Sequence, residues 1–253
     1  MIEIKSPVEV ARMQRASAIV AEILAELAAL TRPGVTTREL DREAEERIAR
    51  RGARPAFKNY RVGDHVFPAV LCTSVNEEIV HGIPSDRALS EGDIIGLDFG
   101  VVYDGFYADS AVTVPVGHVD QRSQRLIETT RRCLDAAIEQ LRPGNRLGDV
   151  GAAVQAIAES EGYGVVRDFV GHGIGRALHE DPQIPNFGTP GRGRALKAGM
   201  VLAVEPMINE GTPSIRMLAD GWTAVTADGK RSAHFEHTVA ITDEGPIVLT
   251  SAN

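Results

Sequence analysis

Gly92-Asp93-Ile94-Ile95-Gly96-Leu97-Asp98 and Gly199-Met200-Val201-Leu202-Ala203-Val204-Glu205 are the stretches on which the fold turns. Each is an apolar run that ends on an acid, and residues 92 and 199 differ by 107. Upstream, Arg32-Pro33-Gly34 recurs as Arg142-Pro143-Gly144, at positions that differ by 110. A single tripeptide recurs by chance, but two echoes at nearly equal spacing point to an internal repeat. The expectation is one domain, residues 1–253, built from two copies at about 6–117 and about 120–250. The repeat makes Asp98 equivalent to Glu205 and brings both acids toward one axis.

Working outward, each copy opens with a pair of helices. Ser6, Pro7 and Glu9 supply a cap, a proline at the first helical position and a capping-box glutamate. Val20, Ile23, Leu24 and Leu27 then recur at helical spacing and define one buried stripe, which Arg32-Pro33-Gly34 stops. Thr36 and Glu39 repeat the capping box for a second helix with Leu40, Ala44 and Ile48 on one face and Gly52 at its end. Leu126 to Leu141 and Leu147 to Gly162 form the second pair. Between the pairs, from Pro55 to Pro115, β-branched runs such as Val70 to Val75 and Ile94 to Val102 alternate with Gly, Pro and Asp and read as strands; Val201 to Val204 and Thr238 to Ile241 follow later.

Composition limits the ligand classes. The chain has 253 residues, 43% of them hydrophobic, enough for a sizeable core. A net charge of −8 without a Lys/Arg cluster argues against nucleic acid. Two cysteines, Cys72 and Cys133, make no disulfide framework, and the start of the chain carries Glu3 and Lys5 with no apolar run behind them. These features set the expectation of a cytoplasmic protein that neither crosses a membrane nor binds one.

The strands carry the chemistry. Ile94, Gly96 and Asp98 share a face, and a two-residue turn at Asp104-Gly105 brings Asp109 diagonally to Asp98 on that face. An aspartate beside a turn ordinarily accepts backbone hydrogen bonds; here further acids accumulate. Glu205 ends the run in which Val201 and Ala203 share its face, and Glu236 opens the one leading into Val239 to Ile241. Gly171-His172-Gly173-Ile174-Gly175 adds an imidazole among glycines that permit close approach. Phosphate cradling is a poor reading of that segment, since no Lys-Ser/Thr pair follows. His65, His118 and His237 read as ordinary core histidines.

One imidazole and four carboxylates carry too much negative charge for one site without metal, and have bridging capacity for two divalent ions. Paired ions about 3.5 to 4 Å apart lower the pKa of bound water toward about 7 and polarise a carbonyl, the chemistry of amide hydrolysis. Oxygen-rich ligation with one His accommodates Mn, Fe, Co and Zn alike. The rival nucleophiles lack support: no G-x-S-x-G elbow occurs, and no base partner for Cys72 is visible in sequence.

Asn76-Glu77-Glu78-Ile79-Val80-His81-Gly82-Ile83-Pro84, Asp98, Asp109, Gly171-His172-Gly173-Ile174-Gly175 with His179, Glu205-Pro206-Met207 and Phe235-Glu236-His237-Thr238 together resemble the type I methionine aminopeptidases, along essentially the whole chain. The resemblance implies the α+β pita-bread fold, with two pseudo-symmetric halves, a curved antiparallel sheet and outer helices. It implies Asp98, Asp109, His172, Glu205 and Glu236 as metal ligands, Asp109 and Glu236 bridging, with Glu205 also taking a proton from the attacking water. His81 would touch the scissile amide or leaving amine, and His179 would stabilise the gem-diolate. Phe67, Cys72, Trp222 and Leu178 would line the methionine pocket. Asp64 and Leu178 depart from the family, both standing where it usually has aromatic residues. The implied substrate is the N-terminal peptide of a nascent protein with a small second residue, met in association with the ribosome by a monomeric cytoplasmic enzyme. Xaa-Pro aminopeptidases and prolidases share fold and ligands but usually carry an extra N-terminal domain; a silent binding module of this fold would typically lose ligands.

Overall fold

A computed structural model describes residues 2–251; Met1 and residues 252 and 253 of the expected 1–253 domain lie outside the described residues. Helix α1 spans Pro7–Leu30 and α2 spans Thr37–Arg50. Both capping boxes form as the sequence predicts, Ser6 with Glu9 and Thr36 with Glu39. The expected stripes, Val20, Ile23, Leu24 and Leu27 on α1 and Leu40, Ala44 and Ile48 on α2, are buried. Helix α3, Gln121–Glu139, starts five residues before the expected Leu126, because the Asp120 carboxylate accepts a hydrogen bond from Ser123 N at 2.8 Å and caps it there. Helix α4 spans Leu147–Ser160. None of these helices is long and apolar enough to cross a membrane.

The helices cover one face of a nine-stranded, largely antiparallel sheet. Its central strands run in the order Ile94–Tyr103, Phe106–Pro115, Glu236–Thr242, Val201–Val204, Gly171–Gly173. The middle pair, Phe106–Pro115 with Glu236–Thr242, is flanked on each side by the apolar strand of one sequence echo, so the sheet reads symmetrically outward from its centre. Two short bridges echo the same spacing: Thr36 pairs with Ala88 and Arg146 with Ala195.

Alternation assigns the faces. Ile95, Leu97, Phe99 and Val101 join the α1 and α2 residues in one core cluster. Leu202, Val204, Val239 and Ile241 join α3 and α4 in another. The opposite, concave face carries the acids. Phe99 is fully buried between sheet and helices. Phe99→Ala should therefore cost about 3 to 5 kcal/mol, read as a lower urea midpoint with an unchanged slope; a loss under about 1 kcal/mol would show that this face is not tightly packed.

Candidate active site

Register alone gathers the acids. Asp104 and Gly105 have φ of 52° and 78°, the double positive φ that a two-residue hairpin needs, and Tyr103 pairs with Phe106 across them. Gly100 then faces Asp109 and Asp98 faces Ala111. On its other side Ala111 faces Glu236, so three carboxylates surround one small methyl group. Ala203 faces both Thr238 and His172, and Glu205 lies two residues further along the same face. The Thr238 hydroxyl donates to Asp109 O at 2.7 Å and accepts from Asp109 N at 3.1 Å, locking two of these strands together.

The glycines around His172 are needed for close approach. A Cβ on Gly171 would lie 2.4 Å from Ala203 O, and one on Gly173 would lie 2.2 Å from Asp181 O. Only glycine lets neighbouring strands close in and carry the imidazole to the acids. Its Nδ1 donates to Gly173 O at 2.9 Å, which leaves the lone pair on Nε2 free. That lone pair lies 3.5 Å from Glu205 Oε1. Burial pushes the His172 pKa down to about 3, so the ring brings no second proton of its own to the contact.

Ligand atoms of Asp109, His172 and Glu236 all lie within 4.8 Å of one another. Asp98 Oδ1, Asp109 Oδ1 and Glu236 Oε1 are buried and have no hydrogen-bond partner among the described residues. Burial, reinforced by the neighbouring carboxylates, holds Asp98, Glu205 and Glu236 well above the usual carboxylate range. Burial also lifts Asp109 to about 7, partly offset by a backbone hydrogen bond from Ser110. Orphaned carboxyl oxygens facing an imidazole lone pair form an environment that either bound protons or a cation satisfies. The donor set, four carboxylates and one nitrogen, fits hard divalent ions.

The eleven side chains given site roles in the sequence reading all line one cavity of about 510 Å³. Phe67 and Trp222 meet edge to face, with ring centroids 5.3 Å apart, and Cys72 and Leu178 complete the apolar wall. The Cys72 thiol is pushed well above its usual value by burial and then by Asp98 and Asp109, so it stays protonated and is no nucleophile. Burial lowers His81 to about 4 and lowers His179 as well, leaving both rings neutral near pH 7.

Several cavity residues escaped the sequence reading. Tyr60 bonds to His179 Nδ1 at 2.6 Å. Burial raises the phenol pKa, so the hydroxyl keeps its proton and can donate to Nδ1 of the tautomer that carries its proton on Nε2. Phe169 packs edge to face on His81 at 5.3 Å between centroids. Glu180 accepts from Lys5 Nζ at 2.5 Å and from Arg176 N at 2.7 Å, fastening the segment that bears His179. His234, fully enclosed, is 3.9 Å from Glu205 Oε2.

The two departures from the family pattern fall in different places. Asp64 occupies the exposed turn of a hairpin formed by Arg61–Val62 and His65–Val66 and does not line the cavity, whereas Leu178 does. His65 and His118 are exposed rather than in the core. His237, largely enclosed and bonded to Thr250 Oγ1 at 2.9 Å, has the structural role expected of it.

Comparison with known proteins agrees with this geometry. Residues 11–243 match the model of metallopeptidase family M24. The chain is 50% identical to a methionine aminopeptidase of Clostridium perfringens and 48% identical to methionine aminopeptidase 1 of Bacillus subtilis, in both cases over 99% of each chain. It superposes on the crystal structure of a methionine aminopeptidase from Thermotoga maritima with a TM-score of 0.96 at 48% identity, covering all of both chains. The pita-bread architecture and the acid-and-imidazole cavity are thus those of a metal-dependent aminopeptidase, and the chain belongs to metallopeptidase family M24.

Proposed function

We propose that this protein removes the initiator methionine from nascent proteins whose second residue is small, using two divalent ions drawn from Mn, Fe, Co or Zn. The carrying observation is the crowd of orphaned carboxylate oxygens and one imidazole lone pair on a single sheet face. Fully ionised, Asp98, Asp109, Glu205 and Glu236 bear four negative charges, which two divalent cations balance. His172 would complete the ligand set, with Asp109 and Glu236 each able to serve both ions. Bound there, the ions supply Lewis acidity toward the substrate carbonyl and lower the pKa of water.

The chain's own groups do the remaining work. Glu205 takes the proton of the attacking water. His179, in the tautomer that accepts from the Tyr60 hydroxyl and carries its proton on Nε2, donates a hydrogen bond to the oxygen that gains charge during attack. His81 contacts the scissile amide or the departing amine. Phe67, Cys72, Leu178 and Trp222 receive the methionine side chain, whose flexible thioether suits an apolar aromatic wall. The whole sequence, 1–253, is read as one catalytic domain with its two repeats, acting as a cytoplasmic monomer on chains emerging from the ribosome.

Purified protein supplied with Mn(II), Fe(II) or Co(II) should release Met from Met-Ala-Ser; a preparation that holds metal and leaves the peptide intact refutes the assignment. Asp109→Ala should abolish activity in a folded chain, and near-normal turnover would remove Asp109 from the ligand set. His179→Ala should lower kcat by about 10² to 10³ with metal retained; loss of metal would make it a ligand instead.

Stability should also report the ions. The Asp109 pKa rises on folding from an ordinary 3.8 to about 7, so its stabilising effect in metal-stripped protein is complete below about 3.8 and is lost as pH rises through about 7. Asp98, Glu205 and Glu236 shift the same way. The gap in melting temperature between Mn(II)-loaded and chelator-treated protein should therefore widen from pH 5 to pH 8; a constant gap contradicts a cation among these carboxylates.

A further inference from the structure

His234 is buried, 3% exposed, and its Nε2 has no hydrogen-bond partner among the described residues. The nearest carboxylate oxygen to that nitrogen is Glu205 Oε2 at 3.9 Å, while the other oxygen of the same carboxylate lies 3.5 Å from His172 Nε2. Glu205 is thus bracketed by two imidazoles. The His172 nitrogen presents a lone pair, because its other nitrogen donates to Gly173 O. With Glu205 ionised, as its ligand and proton-acceptor roles require, a bare lone pair on His234 as well would leave Oε2 facing a second repulsive contact in a dry site.

The main chain is fixed on both sides of this contact. His234 N donates to Thr113 Oγ1 at 2.9 Å, and the Thr113 hydroxyl donates back to His234 O at 2.8 Å. The strand Ser232–His234 pairs with Met207–Asn209, with His234 opposite Met207. The Glu205 carbonyl in turn accepts from Asn186 Nδ2 at 3.0 Å. Both main chains are held, so only a small side-chain rotation separates the ring N–H from the carboxylate. A buried N–H left unpaired is costly, and the most favourable acceptor in reach is an anion.

We propose that His234 is a positioning residue: its Nε2–H donates to Glu205 Oε2 and so turns Oε1 toward His172 and the centre of the cavity. The inference rests on the ligand and proton-acceptor roles given to Glu205 above. A donor behind a metal-binding carboxylate fixes its rotamer and its basicity, and removal of such a partner typically changes metal affinity or activity by about 10- to 100-fold.

Mn(II) affinity, measured by calorimetry on metal-stripped protein, tests this without reference to turnover. His234→Leu should weaken Mn(II) binding about 10- to 100-fold and lower kcat on Met-Ala-Ser with KM little changed. His234→Gln, which retains an N–H donor, should recover most of both. A leucine variant that binds Mn(II) and turns over like the unaltered protein overturns the proposal, as does a glutamine variant impaired as badly as leucine. If leucine prevents folding, the ring ¹⁵N spectrum of the unaltered protein decides: a protonated Nε2 is expected, and a bare Nε2 overturns it. Should unaltered protein bind Mn(II) yet release no Met, the peptidase reading fails while the affinity comparison still judges His234.

Discussion

Four carboxylates on one face of a buried sheet repel one another, and the rest of the chain is arranged around that repulsion. At an effective dielectric constant near 20, two such charges about 4 Å apart repel by about 4 kcal/mol. A whole domain is stable by only about 5 to 15 kcal/mol. A few uncompensated pairs would exhaust that margin, so the acids must either stay protonated or hold cations. The raised pKa values of Asp98, Asp109, Glu205 and Glu236 express the first outcome, and the orphaned oxygens beside the His172 lone pair are arranged for the second.

Rigid strands are what make such a cluster tolerable. Each acid lies on or at the end of a strand whose opposite face is packed against helices, so side-chain repulsion cannot be relieved by moving the main chain. Thr238 ties the strand of Asp109 to that of Glu236 through two hydrogen bonds, and Thr113 does the same between its strand and His234. The glycines on either side of His172 bring a third strand within reach where any Cβ would collide with backbone. The architecture thus spends apolar burial on one face to hold an electrostatically unfavourable arrangement on the other.

This division explains what could be read from the sequence. Helix caps, the apolar stripes of α1 and α2, the Asp104-Gly105 turn and the alternation that aims Asp98, Asp109 and Glu205 are local features whose rules span a few residues. The start of α3 was misjudged because Asp120 precedes the apolar pattern by several positions, and hydrophobic periodicity is silent about a polar first turn. Tyr60 and His234 were missed for a different reason. Their partners, His179 and Glu205, are distant in sequence or separated from them by strand crossings, and neither belongs to a motif with a recognisable spacing. Asp64 departs from the family pattern, and the chain forms a hairpin there that carries it out to solvent.

The same carboxylates that call for a cation also decide which nucleophile the site can use. Cys72 faces Asp98 across the sheet and lines the cavity, so geometry alone would admit a thiolate mechanism. Burial raises the cost of a thiolate there, and Asp98 and Asp109 raise it further by like-charge repulsion. His81 and His179, the neutral imidazoles at the rim, supply no compensating positive charge. Hard ions of the kind the acid cluster suits favour oxygen ligands and water over sulfur. The thiol is left as a soft apolar surface packed with Phe67 and Trp222. Electrostatics at the floor of the cavity therefore divides it into an acid-and-imidazole half and an apolar half.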